Sequence, residues 1–484
     1  MPPRRSACEG ATGPLESFAF CTTSGRAAPV GVVPHQHLTG PPKITGPKTT
    51  GPQQADRSLR ILRTESTLAD RRSLQAFHPF AKLNSLLDGI APGCAPGSEP
   101  ILLSIGEPKN QPPAFVAEEI TAAAATWSRY PPPRGTEAYR SACVDWLNRR
   151  FALPEGLIGE ERSIQPLPGS REGLFFALLA AAQNHDDAAP PVVLIPNPFY
   201  HVYAGAALAA GAEPVFVPAT AENGFLPDFA ALDTATLDRA IFCFLCSPSN
   251  PQGAAADVEA LGRLIELARR HDFIVAFDEC YAEIYDRDAP AGALQAAALT
   301  GAGEAALDRV LVFHSLSKRS SAPGLRCGFA AGSARLIDSL DMALRVGGAG
   351  VPLPILAAGT RLWREESHVE ANRAYYRENF AIAERLLGNR FGFRKPDGGF
   401  FLWLDVGDGE AAAVKLWREA GVRVVPGAYV SETDASGDNP GRPYIRVALV
   451  YDAETTENGL KRIVDVLARD GTKAPPAAAV GAGR

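Results

Sequence analysis

The residue that most clearly suggests chemistry is a lysine placed directly behind an apolar run. Lys318 follows VLVFH (residues 310–314) in the segment FHSLSKRSSAPGLRCGFAAG, and Gly324 and Arg326 come after it at short distances. Apolar β-rich runs of this length are typical of buried strands. A lysine at the exit of such a strand is rigidly held and partly desolvated, which favours its use as a nucleophile or base. We therefore expect Lys318 to form an imine with a carbonyl compound.

Acidic and amide side chains follow two other apolar runs. FDECYAEIY (residues 277–285) places Asp278 at the end of FIVAF, where open α/β sheets bind ligands. A carboxylate at that depth needs a cationic partner such as a protonated pyridine nitrogen, although capping of a loop is an alternative role. Tyr281 could reach a neighbouring phenolic oxygen. In CSPSNPQG (residues 246–253), Asn250 is held by a following proline and could donate to the same oxygen, but alone this motif indicates only a turn.

Two further motifs suggest a bound anion and a flat ring. PGSREG (residues 168–173) precedes the helical run LFFALLAAA, so the free N–H groups near Ser170 could bind a phosphate. Capping of the helix by Ser170 is the alternative, and no Rossmann or Walker glycine pattern accompanies the motif. NPFYHVY (residues 197–203) places Tyr200 at another strand exit, where it could stack on a cofactor ring or simply pack.

An arginine stands inside a late apolar run. Arg446 lies within YIRVALV, and an arginine in such surroundings is rarely unpaired. Its planar guanidinium suits bidentate binding of a carboxylate such as that of an amino acid. A structural ion pair is an equally acceptable interpretation of this residue.

The elements that must position these residues alternate along the chain. ILLSI, VVLIP, EPVFVP, IFCFLC, FIVAF and VLVFH are short strand-like runs, separated by helical segments such as ADVEALGRLIELARRH. This alternation predicts a mainly parallel sheet with helices on both faces. After about residue 346 a long helical stretch precedes GGFFLWLDV, VRVVP and YIRVALV, which together predict a smaller α+β domain.

Composition limits the class of protein and suggests its division. The 484 residues carry a formal net charge of −6, with 46% hydrophobic and 21% charged residues, which disfavours nucleic acid as the main partner. No apolar run is long enough to cross a bilayer, and the N-terminus lacks a signal-peptide core. We expect residues 1–72 to form a disordered Pro/Gly-rich extension that is not needed for function; the alternative is that this segment is not part of the native chain. The remainder is expected to comprise an N-terminal arm and small-domain segment over 73–100, a large ligand-binding domain over 101–345, a C-terminal small domain over 346–472, and a disordered tail over 473–484.

The eight cysteines are scattered. Cys243 and Cys246 form a CxxC, but residues i and i+3 of a strand point to opposite faces. We therefore expect buried strand cysteines rather than a redox pair or a metal site, and we predict no metal site elsewhere. Cysteine usage fits a reducing cytoplasm.

The order of these motifs resembles that of the class I/II aminotransferases, which are pyridoxal-phosphate (PLP) enzymes of fold type I. The resemblance runs from about residue 80 to 470 and rests on the Asn-Pro turn, Asp-x-x-Tyr, Ser-x-Ser-Lys and the late buried arginine. It implies that Lys318 forms the imine with PLP and moves the substrate proton, and that Asp278 pairs with the pyridine nitrogen. Tyr281 and Asn250 would bind the phenolic oxygen, and Tyr200 would stack on the ring with a catalytic role.

The same resemblance assigns the remaining positions. Ser315, Arg326, Ser170 and Arg171 would bind the phosphate, Arg171 more through its backbone than its side chain. Gly106 in IGEPKN, together with Asn250 and Arg446, would lie on the substrate side, with Arg446 binding the α-carboxylate. Tyr130 in RYPPPRG would reach the phosphate of a neighbouring subunit, which implies a homodimer with shared sites acting on amino acids and 2-oxo acids.

Within that family, IGEPKN, SLSKRSSAPGLRCGF and NPGRPYIRVALV look most like the succinyldiaminopimelate transaminases of lysine synthesis, which use glutamate and 2-oxoglutarate as the second pair. Such a substrate carries a remote carboxylate, for which we expect a cation from Lys109, Arg134 or Arg319. The alternatives are an aspartate- or aromatic-type aminotransferase and a PLP-dependent carbon–sulfur lyase. A regulator with an aminotransferase-like sensor domain is disfavoured. Such a protein would carry a helix-turn-helix domain, whereas the Pro/Gly-rich N-terminal segment of this chain lacks amphipathic helices.

Overall fold

Residues 78–183, 189–348 and 350–470 are described by a computed structural model. The predictions made for residues 1–72 and 473–484 lie outside these ranges. The strands are β1 Ile101–Leu102, β2 Ile164–Leu167, β3 Val192–Asn197, β4 Glu213–Pro218, β5 Ala240–Cys246, β6 Ile274–Asp278, β7 Val310–Ser315, β8 Gly328–Gly332, β9 Phe401–Asp405, β10 Val422–Arg423, β11 Val425–Pro426 and β12 Tyr444–Ala448.

The helices alternate with the strands of the first two thirds of the chain and then dominate. They are α1 Pro79–Leu86, α2 Phe115–Ala122, α3 Glu137–Phe151, α4 Ser170–Ala182, α5 His201–Ala209, α6 Thr234–Asp238, α7 Val258–His271, α8 Ala293–Thr300, α9 Gly303–Ala306, α10 Leu316–Arg319, α11 Ala334–Gly347, α12 Leu353–Arg364, α13 Ser367–Leu387, α14 Gly409–Ala420 and α15 Ala453–Leu467. Among the described residues, no helix is long and apolar enough to cross a membrane.

Seven strands form the central sheet in the order β2-β8-β7-β6-β5-β3-β4. Every pairing from β7 through β6, β5 and β3 to β4 is parallel. β8 runs antiparallel to both β7 and β2, so it alone opposes the direction of the others. The predicted α/β class with a mainly parallel sheet is confirmed.

Side chains alternate between the two faces of this sheet. Phe242, Phe244 and Cys246 of β5 belong to one buried cluster, which includes residues of α4, α5 and α11. Cys243 and Leu245 belong to the other, which includes residues of α3, α7, α8 and α12. Both faces are therefore covered by helices, as parallel sheets require. The prediction that the two CxxC cysteines point to opposite faces is also confirmed.

Two strands of the central sheet were not predicted. β8 has the sequence GFAAG, whose small residues have low strand propensity. Its glycines are explained by backbone crowding, because a Cβ at Gly328 would lie 2.4 Å from the His314 carbonyl oxygen. β2 contains Pro166, and a proline within a run argues against predicting a strand there. The strand β2 lies at the sheet edge, where proline is tolerated.

The run ILLSI is placed differently from its prediction. Only Ile101 and Leu102 form a strand, and β1 pairs in parallel with β10 instead of joining the central sheet. The Leu103 carbonyl then accepts from the Ala448 N–H at 2.8 Å. A short apolar run does not specify which sheet it enters, so this pairing was not visible in the sequence. The C-terminal strands β11, β12 and β9 form a separate antiparallel sheet, and the division into large and small domains remains a prediction.

Candidate active site

Four neighbouring parallel strands end at one edge of the central sheet and present the site. β3, β5, β6 and β7 are adjacent in the sheet, so the residues at their carboxyl ends meet there. They border a cavity of about 310 Å³. Eleven residues predicted to bind the cofactor or the substrate line this cavity, namely Gly106, Ser170, Arg171, Tyr200, Asn250, Asp278, Tyr281, Ser315, Lys318, Arg326 and Arg446.

Lys318 sits in the single turn α10 that follows β7. The Ser315 side chain caps this turn by accepting from the Ser317 N–H at 3.1 Å. The Lys318 Nζ donates to the Gly106 carbonyl oxygen at 2.5 Å and lies 5.1 Å from the centre of the Phe400 ring. Burial lowers the pKa of the Lys318 ammonium to about 8. About a tenth of the amine is therefore neutral at pH 7, against less than about a thousandth for an ordinary lysine, and a nucleophile or base requires this neutral form.

Asp278 is a buried carboxylate at the end of β6. Its Oδ2 accepts from the Tyr203 hydroxyl at 2.9 Å, and its Oδ1 accepts from the Cys280 N–H at 3.3 Å. Only 3% of Asp278 is exposed, and burial raises the pKa of its carboxyl. Among the described residues it has no ion-pair partner within 4 Å, so it can pair with a ligand cation in the cavity. Glu279, its neighbour in the chain, points elsewhere: its Oε1 accepts from the Ala293 N–H at 2.6 Å, and its Oε2 lies 3.0 Å from His314 Nε2.

The N-terminus of α4 and two loops form an anion-binding corner. α4 begins at Ser170 with no side-chain cap, and Gly169 precedes it with a φ of 97°. A Cβ at Gly169 would lie 2.5 Å from Arg326 Nη2, so the missing side chain lets the guanidinium approach the helix start. The Ser315 hydroxyl lines the same cavity. Free helix N–H groups beside a guanidinium are suited to a phosphate. In the structure, Arg326 is also paired with Glu172 at 2.9 Å.

Tyr200 and Arg171 are joined across the mouth of the cavity. Arg171 Nε donates to the Tyr200 hydroxyl at 2.7 Å. Burial raises the pKa of Tyr200, so its hydroxyl stays neutral and accepts this bond. The sequence predicted a backbone role for Arg171, whereas the structure also places its side chain in the cavity.

Arg446 lies on the C-terminal sheet and faces the same cavity. Its Nη1 donates to Asn250 Oδ1 at 3.0 Å and its Nη2 to the Ser104 carbonyl at 2.9 Å, with the guanidinium 4.4 Å from the centre of the Phe401 ring. Arg446 is 6% exposed, its Nε has no partner, and burial lowers its pKa to about 10. No carboxylate lies within 4 Å of it in the described part of the chain. The structural ion pair considered above is therefore not what the structure contains.

Tyr281 and Gly106 complete the wall around Arg446. The Tyr281 ring meets Phe400 edge-on at 5.4 Å, and burial raises the pKa of its hydroxyl well above the usual value, so the phenol stays protonated. A Cβ at Gly106 would lie 2.4 Å from Phe401 Cζ. Glycine is therefore required for the loop to pass this ring.

Several predicted residues lie away from the cavity. Tyr130 is 99% exposed on the surface of its own chain. Arg134 donates to the Glu161 carbonyl. Arg319 is buried and forms an ion pair with the partly exposed Glu366, with 2.7 Å between Nη2 and Oε1. The expectation that Arg134 or Arg319 supplies a substrate-binding cation to this cavity is therefore wrong. Lys109 does not line it either and pairs with Glu107 at 2.8 Å.

The sequence did not predict several other residues that line the cavity or contact its lining. Tyr203 lies inside the quoted motif NPFYHVY, but nothing local indicated that it would reach Asp278. His201 lines the cavity with a pKa lowered to about 4, mainly by burial, so it is neutral. Pro79 and Phe80 of α1 also line it, which places the N-terminal helix at the mouth.

Comparison with known proteins identifies the class to which this fold and site belong. The family described as "Aminotransferase class I and II" matches residues 98–465, and the chain belongs to that family. Its members depend on PLP, so this chain is a PLP-dependent aminotransferase.

The matches between this chain and individual relatives extend over nearly the whole length of each relative. The LL-diaminopimelate aminotransferase of Moorella thermoacetica is 32% identical over 381 residues, which is 77% of this chain and 92% of that protein. The crystal structure of an aminotransferase from Neisseria meningitidis has a TM-score of 0.76 at 35% identity, covering 83% of this chain and 99% of its own. A probable N-succinyldiaminopimelate aminotransferase from Thermus thermophilus has a TM-score of 0.68 at 24% identity, covering 80% and 100%, and shows the fold alone.

The cavity residues fit the cofactor of this family. The helix start at Ser170 with Arg326 suits the phosphate, and the space beside Gly169 would be filled by any side chain. Asp278 supplies a buried carboxylate that no cation of the described residues pairs with, which suits a protonated ring nitrogen. Lys318 supplies an amine with a lowered pKa in the same cavity.

Proposed function

We propose that this chain is an aminotransferase of diaminopimelate synthesis, which moves an amino group from a diaminopimelate-type substrate to 2-oxoglutarate. The observation that carries the proposal is that Lys318, Asp278 and Arg446 face one cavity, the last two without an ion-pair partner in the described chain. When bound, PLP supplies an electron sink for the electrons of the substrate Cα–H bond. Lys318 would then take the proton from Cα and pass it to the cofactor rather than back to Cα, because only that transfer leaves the amino group on the cofactor.

Arg446 fixes the orientation of the substrate in this proposal. Its guanidinium would bind the α-carboxylate, because it is buried, charged and held by the Asn250 amide and a main-chain carbonyl. Asp278, held by Tyr203, would keep the ring nitrogen of the cofactor protonated. Ser170, Ser315 and Arg326 would hold the phosphate, and Tyr200 would contact the ring.

We infer that Arg171 supplies a cation for the remote end of the substrate. Its side chain is exposed to the cavity and uses Nε on Tyr200, so other N–H groups of the guanidinium remain for a ligand. A diaminopimelate-type substrate carries a second carboxylate several bonds from the reacting carbon. This assignment replaces the cations expected from the sequence.

Two forms of the substrate are supported by different observations. Relatives named LL-diaminopimelate aminotransferases, at 32% identity over nearly their full length, support the free diamino acid. The resemblance of IGEPKN and SLSKRSSAPGLRCGF to succinyldiaminopimelate transaminases supports the N-succinyl form. We place the free form first because those relatives match over most of both chains.

The test measures glutamate formed from 2-oxoglutarate by purified enzyme loaded with PLP. LL-diaminopimelate and its N-succinyl derivative are compared as donors, with aspartate and phenylalanine as controls. The proposal expects one of the first two to exceed both controls in kcat/KM by at least about a hundredfold, a specificity that charged contacts can supply. Faster turnover of aspartate or phenylalanine would overturn it, and keto-acid release from cystathionine without an acceptor would indicate a lyase.

A homodimer is part of the proposal. Tyr130 and Trp127 are 99% and 55% exposed in one chain, and on α11 the apolar residues Met342 and Val346 are 63% and 86% exposed. A second copy would cover such residues, and Tyr130 would then reach the phosphate corner of the partner. Sedimentation of the purified protein tests the assembly.

A further inference from the structure

A buried asparagine outside the cavity makes four hydrogen bonds around the catalytic turn. Asn372 of α13 is 5% exposed, and its Nδ2 donates to the carbonyls of Lys318 at 2.9 Å and Arg319 at 3.1 Å. Its Oδ1 accepts from Asn110 Nδ2 at 2.6 Å and lies 2.8 Å from the Ser321 hydroxyl. The side-chain amide therefore uses both donor protons and both acceptor positions.

These bonds join three parts of the chain that are distant in sequence. Asn372 comes from α13, Lys318 from the turn after β7, and Asn110 from the loop that also contains Gly106. The Ser321 hydroxyl lies 2.7 Å from Asn110 Oδ1 as well, so its single proton is shared between the Asn110 and Asn372 side-chain oxygens. The same loop meets the lysine a second time, because Lys318 Nζ donates to the Gly106 carbonyl.

The backbone after Lys318 needs such support. Ser321 has a φ of 49°, a left-handed conformation that non-glycine residues adopt only when surrounding contacts hold them. The carbonyls of Lys318 and Arg319 end a helix of four residues, so they have few intrahelical partners. Asn372 is the side chain that satisfies both.

We propose that Asn372 is a positioning residue for transamination, which holds the Lys318 turn and the loop of residues 106–110 in register. The inference rests on the proposed role of Lys318. Asn372 touches neither substrate nor cofactor; it sets the distance between the lysine amine and the substrate-side loop. Errors of about 1 Å in such distances lower rates by up to about a hundredfold.

The test compares two asparagines of the same helix. Asn379 is also on α13, is 1% exposed and donates to two carbonyls, those of Leu449 and Tyr451, away from the catalytic turn. Asn372→Ala and Asn379→Ala are prepared as PLP-loaded enzymes. We expect Asn372→Ala to lower kcat/KM for the amino donor by at least about tenfold, and to shift the pH midpoint of the visible cofactor absorbance. Asn379→Ala should change neither, even if it unfolds at a lower temperature.

A double-mutant cycle tests the bridge itself. If Asn372 acts through Asn110, then Asn110→Ala adds little to the loss of kcat/KM already caused by Asn372→Ala. Additive losses, or an unchanged pH midpoint in Asn372→Ala, would overturn the proposal. Lys318→Ala separates this failure from that of the proposed function: PLP that borohydride still fixes covalently to Lys318→Ala refutes the role of Lys318, whereas Asn372→Ala should keep the reducible attachment and change the pH midpoint of the absorbance.

Discussion

The Tyr203 hydroxyl donates to Oδ2 of Asp278 across 2.9 Å, within a part of the molecule that excludes water. The Tyr203 ring is stacked on Phe244 with 4.5 Å between ring centres, so its hydroxyl has little freedom to turn away. Oδ2 of the Asp278 carboxylate is thereby held by a hydrogen bond from the protein. The arrangement explains how a buried acid can stay ionised although burial raises its pKa.

Removing that hydroxyl should weaken the hold on the cofactor. Tyr203→Phe keeps the ring but deletes a hydrogen bond to a charged group, which contributes roughly 1.5–3 kcal/mol, or about a tenfold to hundredfold effect. We expect PLP to dissociate more readily and kcat to fall by at least about tenfold. Titration of apoprotein with PLP and steady-state kinetics measure the two effects.

Tyr376→Phe is a matched control for this change. Tyr376 is fully buried, but its hydroxyl has no hydrogen-bond partner in the described structure. Its deletion should leave PLP affinity and kcat unchanged and should not lower stability. Equal losses in both variants would show that the bond to Asp278 has no special role.

The lowered pKa of Lys318 predicts an unusual pH dependence of stability in the apoprotein. The folded pKa is about 8 against 10.5 for an exposed lysine, so between these values the unfolded chain binds more protons. The contribution of Lys318 to the free energy of unfolding of the wild type therefore rises with pH through this window. Below about pH 8, Lys318 is protonated in both states, and the full cost of burying its charge lowers the stability of the folded state. Lys318→Met removes that cost, so its melting temperature relative to wild type should be highest below about pH 8 and should decline toward about pH 10.

Lys395→Met provides the contrast for that experiment. Lys395 pairs with Asp286 and Glu384, which raise its pKa. Both folded and unfolded states keep it protonated from about pH 7 to about pH 9.5, so the effect of Lys395→Met should be constant there. If the difference in melting temperature between Lys318→Met and wild type is also constant with pH, that result would contradict the lowered pKa of Lys318.

The fold was predictable where strands are apolar and helices amphipathic. FIVAF and VLVFH became β6 and β7, and ADVEALGRLIELARRH became α7, capped by Asp257. β8 escaped prediction because GFAAG is dictated by close backbone approach rather than by strand propensity. The register that joins β1 to β10 depends on residues more than 300 positions apart, which no local pattern encodes.

The site was predictable to the extent that its residues end strands. Asp278 is the last residue of β6, and Lys318 lies in the single turn that directly follows β7, so their positions follow from the sheet. Tyr203 and Asn372 reach these residues from other elements, 75 and 54 positions away, and neither has a local signal. The prediction that Arg134 or Arg319 supplies a cation to the cavity was wrong, because the sequence shows the charge of an arginine but not the acceptors to which it donates.

Arg446 should be required for substrate binding more than for stability. Arg446→Met deletes charge-assisted bonds to an α-carboxylate worth roughly 3 kcal/mol, so kcat/KM should fall by about a hundredfold. Arg446→Met also removes a buried charge that has no carboxylate partner in the described chain, which offsets the loss of its bonds to Asn250 and the Ser104 carbonyl, so the melting temperature of the apoprotein should change little. Arg134→Met is the control, since Arg134 binds carbonyls outside the cavity and its loss should leave KM unchanged. A KM for the amino donor that is unaffected in Arg446→Met would contradict the assignment.

Arg171 should determine which amino acids are preferred. Arg171→Leu removes the cation proposed for the remote carboxylate, so the ratio of kcat/KM for a diaminopimelate-type donor to that for alanine should fall by at least about tenfold. Arg171→Lys keeps the charge and should retain part of the preference. If both donors lose activity equally, Arg171 acts on the cofactor phosphate or on Tyr200 rather than on the substrate.

Tyr130 should act on the site of the neighbouring subunit. In a dimer with shared sites, Lys318→Ala and Tyr130→Ala each impair both sites of their homodimers. A mixed dimer has one site with both substitutions and one with neither, because Lys318 of one chain would work with Tyr130 of the other. Mixing the two inactive proteins under conditions that exchange subunits should therefore restore up to about a quarter of wild-type activity, since about half of the dimers are mixed and half of their sites are intact. Activity that does not exceed the sum of the two homodimers would place Tyr130 outside the partner's site, provided that native mass spectrometry shows the exchange.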